Sequence, residues 1–128
     1  MHRLELSSAM RTDAGQKRAV NEDSALAVSP CFLVADGMGG HEAGDLASQA
    51  AIGAFAEAMP AGAQPSVRDV AEALDSARAA VARVASGRLH GAGCTRTGVV
   101  LGEHDDAPHW LGLKIGDSRV YLHRGSEL

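Results

Sequence analysis

Aromatic residues are nearly absent from this chain: two Phe, one Trp and one Tyr make up 3% of it. A core of stacked rings is therefore excluded, and any interior must be built from Ala, Val, Leu and Ile. Cysteine is as scarce. Cys31 and Cys94 lie far apart and form no CxxC pair, which argues against a disulfide framework or a zinc knuckle and for a reducing, cytoplasmic setting. Long apolar runs are also missing. The longest, Cys31-Phe32-Leu33-Val34-Ala35, is far too short to span a bilayer, and the opening Met1-His2-Arg3-Leu4-Glu5 lacks the apolar stretch of a secretory signal. No membrane partner is expected. Nor is there an excess of positive charge, since 12 Lys+Arg face 16 Asp+Glu for a net charge of −4. Such a chain lacks the basic face that grips nucleic acid, while its carboxylates suit a site that gathers around a cation. What remains is ordinary globular composition, 128 residues with 45% hydrophobic and 22% charged, enough for one domain with a real core.

Periodicity divides the chain into strands and two helices. Leu4, Leu6, Ser8 and Met10 alternate with polar or small residues and predict a first strand. The polar stretch that follows, ending in Asn21-Glu22-Asp23, has no apolar period and reads as a loop. Residues 24–29 and 31–36 predict two strands paired around Pro30. A helix is expected from about Glu42, with Leu46, Ala47, Ala50, Ala51, Ala54, Phe55 and Ala58 on its apolar face, until Met59-Pro60-Ala61-Gly62 stops it. Ser66 and Asp69 form a capping-box pattern ahead of a second helix, whose stripe is Val67, Val70, Leu74, Ala77, Val81 and Val84. After Gly91-Ala92-Gly93, alternation at Thr95–Leu101, Leu111–Ile115 and Val120–Leu122 predicts three closing strands, with a turn over residues 102–108. His104, Asp105, Asp106 and His109 fall in that turn and read as solvated side chains. Strands, two helices, then strands, without βαβ alternation, imply an α+β fold with a mostly antiparallel sheet.

The segment richest in chemistry is Asp36-Gly37-Met38-Gly39-Gly40-His41, where a buried strand delivers a carboxylate into a glycine cluster that opens a helix. Gly-rich helix starts often cradle phosphate. Here the spacing is wrong for a dinucleotide fingerprint, and the Gly-Lys-Ser/Thr of a P-loop is missing. A carboxylate beside a phosphate repels it unless a divalent cation lies between, so Asp36 fits a metal ligand better than a bare phosphate cradle. A tight turn capped by the Asp side chain is the other reading of this segment. Arg18-Ala19-Val20-Asn21-Glu22-Asp23 places a guanidinium, suited to bidentate phosphate recognition, near two carboxylates; alone it also reads as a solvated ion pair. Gly116-Asp117-Ser118-Arg119 puts a carboxylate in a turn between strands, and Gly93-Cys94-Thr95-Arg96-Thr97 by itself signals only structure. Cys94 reads as a small packing residue.

Taken together and in this order, these segments resemble the metal-dependent protein Ser/Thr phosphatases of the PPM (PP2C-type) family, in its bacterial stand-alone form. The resemblance implies a sandwich of two antiparallel β-sheets flanked by antiparallel helices, with residues 1–128 forming its N-terminal half. It also implies two Mn²⁺ or Mg²⁺ ions bridged by Asp36, with the Gly37 carbonyl on one of them. Arg18 would clamp the substrate phosphate, His41 would protonate the leaving alkoxide, and Glu22 and Asp23 would order metal-bound waters. Asp117 matches the ligand of a third, weaker metal site. The implied reaction is hydrolysis of phosphoserine and phosphothreonine on proteins, the substrates of a Ser/Thr kinase, by a water activated between the metals. The chain ends at Leu128, before the second Asp-Gly motif and the late Asp-Asn pair that complete the family's metal sites. A partial domain with impaired or absent activity is therefore expected, with self-association through exposed sheet edges. The alternative from another class is an inactive, phosphatase-derived binding module.

Overall fold

The computed structural model describes residues 5–12, 23–38, 43–86, 93–116 and 118–125. Strands β1 (Asp23–Val28) and β2 (Cys31–Met38) form a hairpin closed by Ser29 and Pro30, with Val28 opposite Cys31 and Asp23 opposite Asp36. Helices α1 (Ala43–Ala58) and α2 (Val67–Ala85) follow, then the short β3 (Gly93–Cys94), β4 (Arg96–His104) and β5 (Ala107–Ile115). All strand pairs are antiparallel, in the order β1-β2-β4-β5, with β3 continuing alongside the far end of β2. The α+β expectation is met. The described residues contain one antiparallel sheet and one pair of packed helices of the implied sandwich.

Both helices cover the same face of the sheet. Alternation sends Cys31, Leu33 and Ala35 of β2, Val100 of β4 and Leu113 of β5 to that face, where they meet Ala47, Ala51 and Phe55 of α1 and Val70, Ala73, Ala77 and Val81 of α2. The core is thus aliphatic with a single aromatic ring, as the composition requires. Alanine dominates the facing positions of α1 and α2, which lets the two helices approach each other and the sheet closely. The capping box at α2 is present in full: the Asp69 N–H donates to Ser66 Oγ at 3.2 Å, and the Ser66 N–H donates to Asp69 Oδ2 at 2.9 Å. The Ser66 N–H on its Oδ2, foremost, and then the Ser66 side chain hold the Asp69 carboxyl below its usual pKa.

Several expectations change. Residues 5–10 form no strand, and neither do residues 118–123. Alternation at Leu6 and Met10, or at Val120 and Leu122, makes a strand only where a ladder partner exists. These side chains are instead exposed, and residues 9–11 and 118–120 border a groove of about 470 Å³ over the open face of the sheet. The turn expected over residues 102–108 shrinks to Asp105-Asp106, both at positive φ (51° and 60°). That two-residue geometry matches the strand twist and lets β4 and β5 pair from His104↔Ala107 onward. Leu46 and Val67 leave the apolar stripes for solvent. Ser48 takes a core position on α1, because its hydroxyl is bonded to Asp45 O at 3.1 Å and to Ser24 Oγ at 3.0 Å.

Candidate metal centre

The carboxylate that the sequence singled out stands in a strand, not in a turn. β2 runs past Ala35 through Asp36 and Gly37 to Met38, because β3 supplies a partner there: Gly37 pairs with Cys94 and Met38 with Gly93. The capped-turn reading of Asp36 is thereby replaced. It has a neighbour on each side of the strand. On one side Asp23 is its register partner. On the other, Thr95 N–H donates to Asp36 O at 2.9 Å and Asp36 N–H donates to Thr95 Oγ1 at 3.1 Å.

Direct opposition across β1 and β2 puts the Asp23 and Asp36 side chains on the same face of the sheet, the one away from the helices. Opposed side chains at such a pair sit about 5 Å apart at Cβ, and like charges there are unfavourable unless a cation or a proton neutralises them. Two carboxylates with the Gly37 carbonyl next in the chain form a hard oxygen donor set, which fits Mg²⁺ or Mn²⁺ rather than a thiolate- or imidazole-seeking metal. Among the described residues no cluster of three or more His, Cys, Asp or Glu side chains converges. The arrangement is thus a pair of facing carboxylates beside a backbone carbonyl, oxygen donors of the kind a hard divalent cation takes.

Gly116 and Ser118 come to the same place. Gly116 has φ +109°, and a side chain there would collide with the Cγ2 and Cβ of Thr95. Ser118 Oγ lies 3.3 Å from Thr95 Oγ1. The two neighbours of Asp117 therefore flank the residue that holds Asp36. Asp117 itself, together with Arg18, Glu22 and His41, lies outside the described residues. Of the sequence-derived site residues, the structure brings together Asp23, Asp36 and Gly37. It adds Thr95, which sequence reading had treated as structural; the signal available was a small polar residue at the strand start directly after Gly93-Cys94.

Neither cysteine is a nucleophile. Burial pushes the Cys31 thiol up to about 11. Burial raises Cys94 as well, and the nearby Arg96 opposes that rise only in part. Both thiols are free and buried. Arg96 is itself buried, with Nη1 3.9 Å from Cys94 Sγ and Nε without a hydrogen-bond partner. His104 and His109 pack edge to face with ring centroids 5.5 Å apart at the exposed hairpin tip, distant in sequence from the two carboxylates.

No family model matches the chain. The serine/threonine protein phosphatase PstP of Mycobacterium tuberculosis is 40% identical over 129 residues, which cover 98% of this chain and 24% of PstP. Among solved structures, the PPM Ser-Thr phosphatase MsPP from Mycobacterium smegmatis, in complex with cacodylate, superposes with a TM-score of 0.77 at 32% identity, covering 88% of this chain and 47% of MsPP. The catalytic domain of PstP in complex with two manganese ions superposes at 0.61 and 30% identity, covering 79% of this chain and 52% of that domain. The chain spans about a quarter of the curated relatives it matches and about half of the solved domains. It belongs to the PPM family of metal-dependent Ser/Thr phosphatases, and it fits the N-terminal half of that domain.

Proposed function

We propose that this chain carries one wall of a two-metal site that hydrolyses phosphoserine and phosphothreonine on proteins. The observation that supports this reading most is the seating of Asp36: a strand-borne carboxylate, opposed by Asp23 and followed by Gly37, in a chain with the sequence and fold of PPM phosphatases. Asp36 and the Gly37 carbonyl would hold Mn²⁺ or Mg²⁺, as PstP's catalytic domain holds two manganese ions. Bound there, such cations acidify water and stabilise in-line displacement at phosphorus. The chain's own residues orient the reaction. Arg18 clamps the phosphate oxygens, Glu22 and Asp23 accept hydrogen bonds from water at the site, and His41 delivers a proton to the leaving seryl or threonyl oxygen. Asp117 serves a third, weaker cation position.

The proposed substrates are phosphoproteins made by a Ser/Thr kinase, and the proposed compartment is the cytoplasm. No helix among the described residues is long and apolar enough to cross a membrane. Hydrolysis of p-nitrophenyl phosphate by the complete natural protein, with and without Mn²⁺, tests the reading. Metal-dependent turnover supports it. Phosphopeptide binding without turnover at any Mn²⁺ concentration would instead identify an inactive binding module. Arg18→Ala refines the assignment: a charge-assisted bidentate contact contributes about 1.5–3 kcal/mol, so KM should rise roughly tenfold to a hundredfold. Unchanged KM and unchanged inhibition by phosphate would return Arg18 to a surface ion pair. For the polypeptide of residues 1–128 alone we propose weak cation binding and no turnover, since such cations want about six oxygen ligands.

A further inference from the structure

We propose that Thr95 is the positioning residue of the metal centre, a single buried side chain that ties the Asp36 strand to Gly116 and Ser118. The proposal rests on the metal-site reading above. Thr95 stands between β3 and β4, outside both ladders, and is only 6% exposed. Each part of it is engaged. Its N–H and its Oγ1 satisfy the carbonyl and the N–H of Asp36, at 2.9 and 3.1 Å. The same Oγ1 shares a hydrogen bond with Ser118 Oγ at 3.3 Å. Its methyl group lies against Gly116, where no side chain could fit.

The consequence is mechanical. β2 near Asp36 would otherwise break its hydrogen bonding, because the strand passes from its β4 partner to its β3 partner there. Thr95 fills the break with its own hydroxyl. Since that hydroxyl also reaches Ser118, any shift of Ser118 is felt at Asp36 through one intervening side chain. Ligands to a cation must be held within about 0.5 Å of their working geometry, and loss of an outer residue that orients them commonly weakens metal affinity by about 10–100-fold. Thr95 touches neither cation nor substrate in this account; it acts through the backbone of Asp36.

Calorimetric titration of Mn²⁺ into the complete natural protein tests this without reference to turnover. Thr95→Val keeps the methyl group and the shape but removes the hydroxyl, and should weaken Mn²⁺ binding by about tenfold or more. Thr95→Ser restores the hydroxyl and should recover affinity to within about threefold. Ser118→Ala removes only the outer bond, at a half-buried position outside the strands, and should weaken binding by a few-fold with little change in Tm. Asp36→Asn is the control for the underlying reading. If Asp36→Asn binds Mn²⁺ as the wild type does, the metal-site reading itself fails. If Asp36→Asn abolishes binding while Thr95→Val and Ser118→Ala bind normally, the positioning role alone is overturned. A Thr95→Val protein that does not fold leaves the decision to Ser118→Ala, for which unchanged affinity counts against the proposal.

Discussion

Asp36 owes its position to neighbours on both sides of its strand, and the residues around it show how little freedom the site has. Gly98, which pairs with Leu33 farther along the same strand, is as tightly held. A methyl group there would collide with the Phe32 carbonyl and with the Cα of Leu33, which are backbone atoms of β2 and cannot turn aside. Gly98→Ala should therefore cost about 2–3 kcal/mol, read as a lower denaturant midpoint with an unchanged slope. A shift below 0.5 kcal/mol would mean that the two strands lie farther apart than described. The cysteines give a second residue-scale prediction. With both thiols buried and raised, neither should react with a thiol reagent in the native state at pH 8, and both should react after unfolding. The sign of the pH effect follows. Cys31 keeps its proton in the folded state up to about 11, while in the unfolded chain it loses it near the ordinary thiol value of 9.0. Stability from this group is complete below pH 9 and declines as pH rises toward 11. A flat stability profile across that window would contradict the burial of Cys31.

At the scale of elements, α2 shows what a local code can specify. Ser66 and Asp69 announce its start, and the structure contains both reciprocal bonds. Ser66→Ala should lower stability by about 1 kcal/mol at neutral pH, measured by thermal unfolding. Because Asp69 has a lowered pKa when folded, the box holds above the usual Asp range and fails as pH falls through the lowered value. An Asp69→Asn variant and the wild type should thus converge in strong acid; a constant gap between them down to the acid limit would argue against the carboxylate's part in the box. The two helices and four of the strands were legible in this way, from stripes and alternation. The last two residues of β2 were not, since Gly37-Met38 carries turn-forming glycine and its strand state depends on Gly93-Cys94, more than fifty residues away. The β4–β5 turn was misjudged for the opposite reason. Seven polar and small residues suggested a long loop, yet Asp105 and Asp106 accept positive φ and let the ladder close around them.

At the scale of the whole molecule, the sheet is covered on one face only among the described residues. On the other face Val34 and Trp110 are each 51% exposed, and the groove between residues 9–11 and 118–120 has apolar walls. This explains why alternation at the two ends of the chain misled: Leu6, Met10, Val120 and Leu122 carry the pattern of strands without partners to complete it. The candidate site was more legible than these ends, because Asp36, Gly37 and Asp23 belong to compact motifs, whereas the role of Thr95 emerges only when three separate segments meet. A polypeptide of residues 1–128 with this open face, and with β1 and β5 at the sheet edges among the described residues, should self-associate. Sedimentation should show concentration-dependent oligomers, and a monodisperse monomer at all concentrations would contradict that expectation.

The most direct test of the account is hydrolysis of a phosphothreonine peptide at saturating Mn²⁺ by the complete natural protein and by its Asp36→Asn variant. Asparagine keeps the volume and removes the charge, so the fold should persist, as an unchanged thermal transition without metal would show. The account predicts that the wild type releases phosphate only when Mn²⁺ is present and that the variant falls to background. Near wild-type turnover by Asp36→Asn would contradict it.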